Sequence, residues 1–162
     1  MCLGVYAAKR HQLSVEANVG VGSPTYSESR TIDFLVDTGA TSTILSARDA
    51  VRLGISYNGE GQPFWKGKGL PYVGDACGIG GNIKLYGLDK TFITLISHEP
   101  SYGERHTEFI ARLLVAEAKY QEVSLLGMDL MERFNIIVNS KATTVEFIRI
   151  PVKDTSYFIE HA

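Results

Sequence analysis

The feature that most constrains the fold of this chain is an alternation of apolar and polar residues that occurs twice and then ends on an acid. Within residues 13–21 every second residue is apolar, which is the period of a strand with one buried face. A second alternating run, residues 31–36, follows a turn-rich break at residues 22–29 and leads directly into Asp37. We therefore predict an antiparallel hairpin whose second strand delivers Asp37 into the loop that follows.

Two short helices are predicted among further strands. Residues 46–53 have Ser46 as a plausible N-cap, Asp49 in the capping-box position and Gly54 as the stop signal. A second short helix is predicted at residues 128–134. The remaining strand-like runs lie at residues 83–88, 92–96, 109–115 and 145–150.

The composition limits what kind of protein this is. The chain has 162 residues, is 44% apolar and 21% charged, and contains no repeat, linker or low-complexity tract. These values are typical of a globular protein, and they predict one mainly-β domain over residues 1–162 with its core at about 13–150. A formal net charge of −2 gives no electrostatic basis for binding nucleic acid or an anionic membrane.

The compartment is predicted to be the cytoplasm. No apolar run approaches the length needed to span a bilayer, and residues 1–12 do not have the pattern of a secretory signal. The two cysteines, Cys2 and Cys77, suit a reducing environment, although a disulfide between them remains open.

The loop after the second strand reads Asp37-Thr38-Gly39-Ala40, and each residue type has a chemical use there. A carboxylate that activates water must be held rigidly, and the end of a buried strand provides that. Gly39 lets two backbones approach closely, the hydroxyl of Thr38 can hydrogen-bond to a neighbouring backbone, and Ala40 keeps the turn small. The tripeptide alone is weak evidence, because many aspartates at strand ends only form an Asx-turn.

A second element strengthens the interpretation. Much later in the chain, Leu125-Leu126-Gly127 opens the second predicted helix. Together with the Asp37 loop it resembles the retropepsin-like aspartic peptidases, which pair an apolar-Asp-Thr/Ser-Gly-Ala loop with a later apolar-apolar-Gly turn. The resemblance covers most of the chain. It implies an all-β, single-lobe acid protease fold, closed and β-barrel-like, with one or two short helices, and Asp37 as the catalytic residue.

The same resemblance suggests a flap, the glycine-tipped hairpin that closes over a bound peptide in this family. Residues 77–84 look like that hairpin, with its tip near residues 79–81 and with Gly78, Ile79, Gly80 and Gly81 as the flap residues that contact substrate. A phosphate cradle is the rival interpretation of these glycines. The spacing of a dinucleotide-binding loop and the following Lys-Ser/Thr of a P-loop are both missing, which favours the hairpin.

One departure from the retroviral members is informative. They carry an aspartate just after the catalytic alanine and an arginine just after the later glycine, and these two residues pair to brace the site. Here the positions hold Thr41 and Met128. Both partners are missing together, so no unpaired buried charge remains. The chain therefore resembles the cellular and prokaryotic branch more than the viral one.

The chain has a single Asp-Thr-Gly sequence, and this has a consequence for assembly. The chemistry of the family needs two carboxylates that share one proton. Residues 154–156 are the nearest approach to a second copy, and they lack the glycine. The resemblance therefore implies a homodimer in which each subunit supplies Asp37. The apolar terminal segments 3–6 and 157–159 are either part of that interface, or ordinary edge strands or frayed ends.

The functional hypothesis is an aspartic endopeptidase that hydrolyses extended polypeptides without a metal or other cofactor. The alternative is a dimerisation or peptide-binding module of the same fold with little or no catalysis. Residues 59–71 have no counterpart that we can assign, and they either cover the site or extend the flap. No two histidines have the spacing of metal ligands; they are His11, His98, His106 and His161.

Overall fold

Strands dominate the computed structural model, which describes residues 13–22, 29–78, 81–95, 106–139, 141 and 144–149. The strands in chain order are β1 (Ser14–Val21), β2 (Arg30–Val36), β3 (Ile44–Leu45), β4 (Ser56–Tyr57), β5 (Pro63–Trp65), β6 (Lys68–Gly69), β7 (Tyr72–Gly78), β8 (Gly81–Leu95), β9 (His106–Ala116), β10 (Ser124–Leu126), β11 (Phe134–Asn139) and β12 (Thr144–Arg149). The helices are α1 (Ala47–Leu53) and α2 (Met128–Met131). The predicted all-β class with two short helices is confirmed.

The main sheet closes on itself. Its strand order is β1-β2-β10-β3-β9-β8-β7, and β1 also pairs with β8, so six strands form a ring and β7 extends it at one side. Within the ring β10 runs parallel to β2 and antiparallel to β3, while β3 runs parallel to β9. The short strand β10 therefore lies directly beside the end of β2, where Asp37 follows.

The predicted hairpin of β1 and β2 is confirmed, and its alternation explains the core. The two strands are antiparallel, with Ala17 opposite Ile32 and Val15 opposite Phe34. Side chains from every strand of the ring point inward because alternate residues of a strand face the same side. The largest fully buried apolar side chains are Leu13, Val19, Ile32, Phe34, Val36, Leu45, Ile93, Leu113, Val115, Leu126 and Leu130.

Helix α1 begins and ends where the sequence predicts. The side chain of Ser46 accepts a hydrogen bond from the backbone N–H of Asp49, as an N-cap does. Gly54 adopts φ 103°, the left-handed conformation that ends helices and that glycine reaches without strain.

The carboxylate of Asp49 is buried and joins α1 to β10. Its side chain is 1% exposed, and it accepts hydrogen bonds from Ser124 Oγ at 2.7 Å and from Arg48 Nη2 at 3.2 Å. Ser124 Oγ in turn accepts from the backbone N–H of Ser46 at 2.9 Å. Burial alone would raise the pKa of Asp49, but the hydrogen bonds from Arg48, Ser124 and Ser46, with the charge of Arg48, lower it below its usual 3.8.

The prediction of a helix over residues 128–134 is wrong in its second half. Helix α2 ends at Met131, and Phe134 already begins β11, which pairs with β12. The reason is tertiary. Arg133 donates from Nη1 to Glu108 Oε2 on β9 at 3.1 Å, and the ring of Phe134 packs edge-on against Phe147 at 5.4 Å. These contacts direct the chain away from the helix axis.

Strand β8 also differs from the prediction. The two runs expected at residues 83–88 and 92–96 form one strand that ends at Leu95, with Lys90 at φ 56° where a break was expected. Pairing with β9 continues on both sides of Lys90 and holds the strand together.

Residues 59–71 contribute to a small sheet of β4, β5 and β6. Trp65 lies near the end of α1, where a Cβ on Gly54 would be 3.5 Å from its ring. The carbonyl of Gly61 accepts from the N–H of Ala118 at 3.1 Å. The described contacts of this segment include α1, the loop after β9, and β8, where the N–H of Gly87 donates to the carbonyl of Pro71 at 2.9 Å.

Both terminal segments, with Cys2, lie outside the described residues. Among the residues that are described, no helix has the length and apolar character to cross a membrane.

We expect Asp49→Asn to lower the free energy of unfolding by about 1.5–3 kcal/mol at pH 7, because a buried charged acceptor is lost. The pKa of Asp49 is lower in the folded state, so its contribution is complete above the unfolded value of 3.8 and is lost as pH falls through the folded value. The difference between the two proteins should therefore shrink in acid. Urea unfolding at fixed protein concentration and several pH values measures it.

Asp33→Asn is the matched control, because Asp33 is exposed on β2. Its effect should stay within about 0.5 kcal/mol at every pH. An Asp49→Asn difference that is constant down to low pH would show that the carboxylate does not carry this stability.

Candidate active site

Asp37 occupies the loop that follows β2, and three backbone groups fix its position. Its N–H donates to the carbonyl of Leu126 at 3.1 Å, and its own carbonyl accepts from the N–H of Ala40 at 3.1 Å. The N–H of Gly39 donates to Asp37 Oδ1 at 2.9 Å. Asp37, Thr38 and Ala40 are all half-buried. The carboxylate is thus oriented by its own loop while part of it stays accessible.

The turn predicted to support this loop lies directly beside it. Strand β10 runs parallel to β2, with Leu125 opposite Leu35 and Leu126 opposite Val36. Gly127 follows Leu126, just as Asp37 follows Val36 at the end of β2. The two motifs that lie far apart in the sequence are therefore adjacent in the fold.

Gly127 is in such close contact with the Asp37 loop that no side chain fits. A Cβ at this position would lie 2.3 Å from the carbonyl carbon of Ser42 and 2.7 Å from the backbone nitrogen of Thr43. Real Cβ atoms essentially never approach other atoms so closely. The glycine is required by this approach of two backbones, and its φ of −97° is ordinary.

Residues 40–43 and 127–129 form what we call the clasp. The N–H of Met128 donates to the carbonyl of Ala40 at 2.8 Å, and the N–H of Asp129 donates to that of Thr41 at 3.1 Å. The clasp joins the loop after Asp37 to the beginning of α2. Thr41 and Met128 take part through their backbones, while their side chains are exposed.

Two side chains complete the clasp, and neither was identified from the sequence. Thr43 donates to Asp129 Oδ1 from its N–H at 2.9 Å and from its hydroxyl at 2.7 Å. The hydroxyl of Thr43 also accepts from the N–H of Gly127 at 3.1 Å. The only signal in the sequence was the presence of two polar residues next to the Asp-Thr-Gly loop and the Leu-Leu-Gly turn. That signal does not show that they meet.

Tyr120 is a further residue that the sequence did not indicate. It is half-buried, its hydroxyl donates to the carbonyl of Val123 at 3.0 Å, and its carbonyl accepts from the N–H of Ala47 at 2.8 Å. Burial raises the pKa of Tyr120, and the charges of Glu122 and Asp37 add to that effect.

The hairpin expected around residues 77–84 is present. Strands β7 and β8 pair antiparallel up to Gly78 opposite Gly81, and Cys77 Sγ donates across the pair to Asn82 Oδ1 at 2.8 Å. The predicted tip residues Ile79 and Gly80 lie outside the described residues.

The chemistry available to this arrangement is that of one oriented carboxylate. A half-buried aspartate at a rigid strand end can accept a proton from water or donate one. In the described ranges, no group of three or more histidine, cysteine, aspartate or glutamate side chains is arranged to hold a metal ion.

The fold and loop define a mainly-β protein with an Asp-Thr-Gly site at a strand end. A family model described as "gag-polyprotein putative aspartyl protease" matches residues 25–69, the part that contains Asp37 and α1. Over residues 25–69, this match confirms the resemblance to the retropepsin-like aspartic peptidases that the sequence indicated.

Solved structures similar to this chain carry related descriptions. EIAV protease in complex with an inhibitor is 19% identical, with 79% of this chain and 92% of that chain covered and a TM-score of 0.45. A retropepsin-like aspartic protease from Rickettsia conorii is 22% identical, with 86% and 92% covered and a TM-score of 0.48. No curated protein is significantly similar.

We expect Gly127→Ala to destabilise the protein by about 3 kcal/mol or more, because the new methyl group clashes with backbone that cannot move aside. Thermal unfolding measures the effect. The matched control is Gly59→Ala, where an added Cβ meets nothing within 4 Å. Equal melting temperatures for the two variants would contradict the close approach at Gly127.

Proposed function

We propose that this protein is an aspartic endopeptidase that hydrolyses peptide bonds in extended polypeptides, with Asp37 as its catalytic carboxylate. The observation that carries the proposal is the placement of Asp37 at the end of buried β2, in a loop bonded to β10 and α2. Catalytic groups must be held to within a fraction of an ångström, and backbone hydrogen bonds hold the Asp37 loop to Leu126 and Met128. The family model that includes Asp37 supports the same assignment.

The proposed mechanism needs two such carboxylates. A water between them is deprotonated by one carboxylate and attacks the scissile carbonyl, while the other donates a proton to the carbonyl oxygen. The tetrahedral intermediate then breaks its C–N bond as a proton passes to the leaving nitrogen. The products are a carboxylic acid and an amine, and no acyl-enzyme forms.

A second copy of the chain supplies the second carboxylate in this proposal. The sequence has one Asp-Thr-Gly loop, and a two-fold axis places the same residue of each subunit at equivalent positions. Two Asp37 loops that meet on the axis give the pair that the reaction requires. The partners of the chain are therefore another copy of itself and a polypeptide substrate.

The hairpin of β7 and β8 is the proposed flap. Strand β7 is at the edge of the sheet order, and an extended peptide can add to such an edge through backbone hydrogen bonds. In this proposal Gly78, Ile79, Gly80 and Gly81 cover the substrate and exclude water. Thr38, Gly39, Ala40 and the turn Leu125-Leu126-Gly127 support the reacting group.

We expect Asp37→Asn to reduce cleavage by about a thousandfold or more, because the amide can neither accept the proton of water nor share one. Cleavage of an unfolded protein mixture between pH 4 and 7, with and without a pepstatin-like inhibitor, measures the effect. Asp33→Asn, an exposed aspartate four positions upstream, should retain activity. Activity that survives Asp37→Asn would contradict the assignment, and folded dimers of the unmodified protein without cleavage would favour a binding module.

Subunit mixing tests the shared site. With nine parts of Asp37→Asn to one part of unmodified protein, random pairing leaves about a tenth of the unmodified subunits in fully active dimers. Activity per unmodified subunit should fall to about that level after exchange, whereas the same excess of albumin should leave it unchanged. Activity that stays proportional to unmodified protein would contradict a site shared between subunits.

A further inference from the structure

We infer that Thr43 and Asp129 are positioning residues for the reaction at Asp37, and that the hydroxyl of Thr43 is the group through which they act. This inference rests on the proposed function. Neither residue touches the reacting atoms in this account, and both act through the backbone that carries Asp37.

One carboxylate oxygen of Asp129 accepts three hydrogen bonds from the clasp and the start of α2. Asp129 Oδ1 accepts from the N–H of Thr43 at 2.9 Å, from the hydroxyl of Thr43 at 2.7 Å and from the N–H of Leu130 at 2.8 Å. Hydrogen bonds to a carboxylate are roughly twice as strong as those between neutral groups. Thr43 is 1% exposed, so water does not compete freely for these bonds.

The hydroxyl of Thr43 donates one hydrogen bond and accepts another, and the two roles can be assigned. It has one proton, and a carboxylate oxygen only accepts, so that proton goes to Asp129. The oxygen is then free to accept from the N–H of Gly127 at 3.1 Å. A chain of bonds therefore runs from Gly127 through Thr43 to Asp129. Valine has the shape of threonine and keeps the bond from its N–H to Asp129, but it removes both bonds of the hydroxyl, whereas serine keeps them.

This chain of bonds determines where Asp37 lies. Gly127 directly follows Leu126, whose carbonyl holds the N–H of Asp37 at 3.1 Å, and it precedes Met128, whose N–H holds the carbonyl of Ala40 at 2.8 Å. Both sides of the Asp37 loop are thus bonded to the neighbours of Gly127. A misplacement of about 1 Å at a reacting group can cost about a hundredfold in rate.

We expect Thr43→Val to lower kcat about a hundredfold while KM changes by about twofold or less, because the substrate contacts remain and the reacting group is misplaced. Thr43→Ser should stay within a few-fold of the unmodified protein. Hydrogen exchange should show faster exchange at the amides of Asp37 and Gly127 in Thr43→Val. All assays are run at a temperature at which each variant is folded.

Thr91→Val is the matched control for a purely structural effect. Thr91 is fully buried, and its hydroxyl donates to the carbonyl of Ile110 at 3.1 Å on strands β8 and β9. This variant should lose stability with little change in kcat. If the kcat of Thr43→Val equals that of Thr91→Val, the clasp has only a structural role and the inference is overturned.

Three further outcomes also bear on the inference. If Thr43→Val does not fold, Asp129→Ala, which removes the acceptor oxygen, replaces it in the test, and a kcat equal to that of the unmodified protein overturns the inference. If the unmodified protein cleaves no peptide as a folded dimer, the proposed function fails and the inference fails with it. Cleavage by the unmodified protein together with an unchanged Thr43→Val overturns the inference alone.

Discussion

The contact on which the site depends is the approach of the Gly127 backbone to the peptide that joins Ser42 and Thr43. At this distance no residue with a Cβ fits, and the absence of a side chain lets N–H and carbonyl groups of the two segments meet directly. The bonds of Met128 to Ala40 and of Asp129 to Thr41 follow from that closeness. The loop that carries Asp37 is therefore part of the same rigid unit as the start of α2.

Strand β10 transmits this rigidity to the rest of the fold. It has three residues, and each end is held by polar groups. At its start Ser124 bonds to the buried carboxylate of Asp49 and to the backbone of Ser46. At its end the carbonyl of Leu126 holds the N–H of Asp37. So short a strand gains little from its own ladder, and these buried bonds determine its position between β2 and β3.

Sequence patterns were sufficient where the structure is local. Each of four features depends on only a few consecutive residues: the alternation of β1 and β2, the Ser46 cap, the Gly54 stop and the loop at Asp37. Patterns failed where distant residues decide the outcome. The early end of α2 depends on contacts of Arg133 and Phe134 with β9 and β12, and the continuity of β8 through Lys90 depends on its pairing with β9.

The side chains around the site also divide into those that a local motif indicates and those that only a distant contact reveals. Asp37 and Gly127 were identified because each belongs to a short motif. Thr43 and Asp129 were not identified because their contribution comes from a hydrogen bond between residues far apart in the chain. The loss of an Asp–Arg brace at Thr41 and Met128 was visible in the sequence. The bond between the buried hydroxyl of Thr43 and the half-buried carboxylate of Asp129 was visible only in the fold.

The central claim is that one chain supplies half of a catalytic site and a second copy supplies the rest. A crystal structure of the protein bound to a peptide-like inhibitor tests it most directly, through the distance between the two Asp37 carboxylates. The account predicts a dimer in which their nearest oxygens lie about 2.5–3.0 Å apart, close enough to share a proton. An inhibitor-bound protein whose Asp37 carboxylates are too far apart to hold one water between them would contradict it.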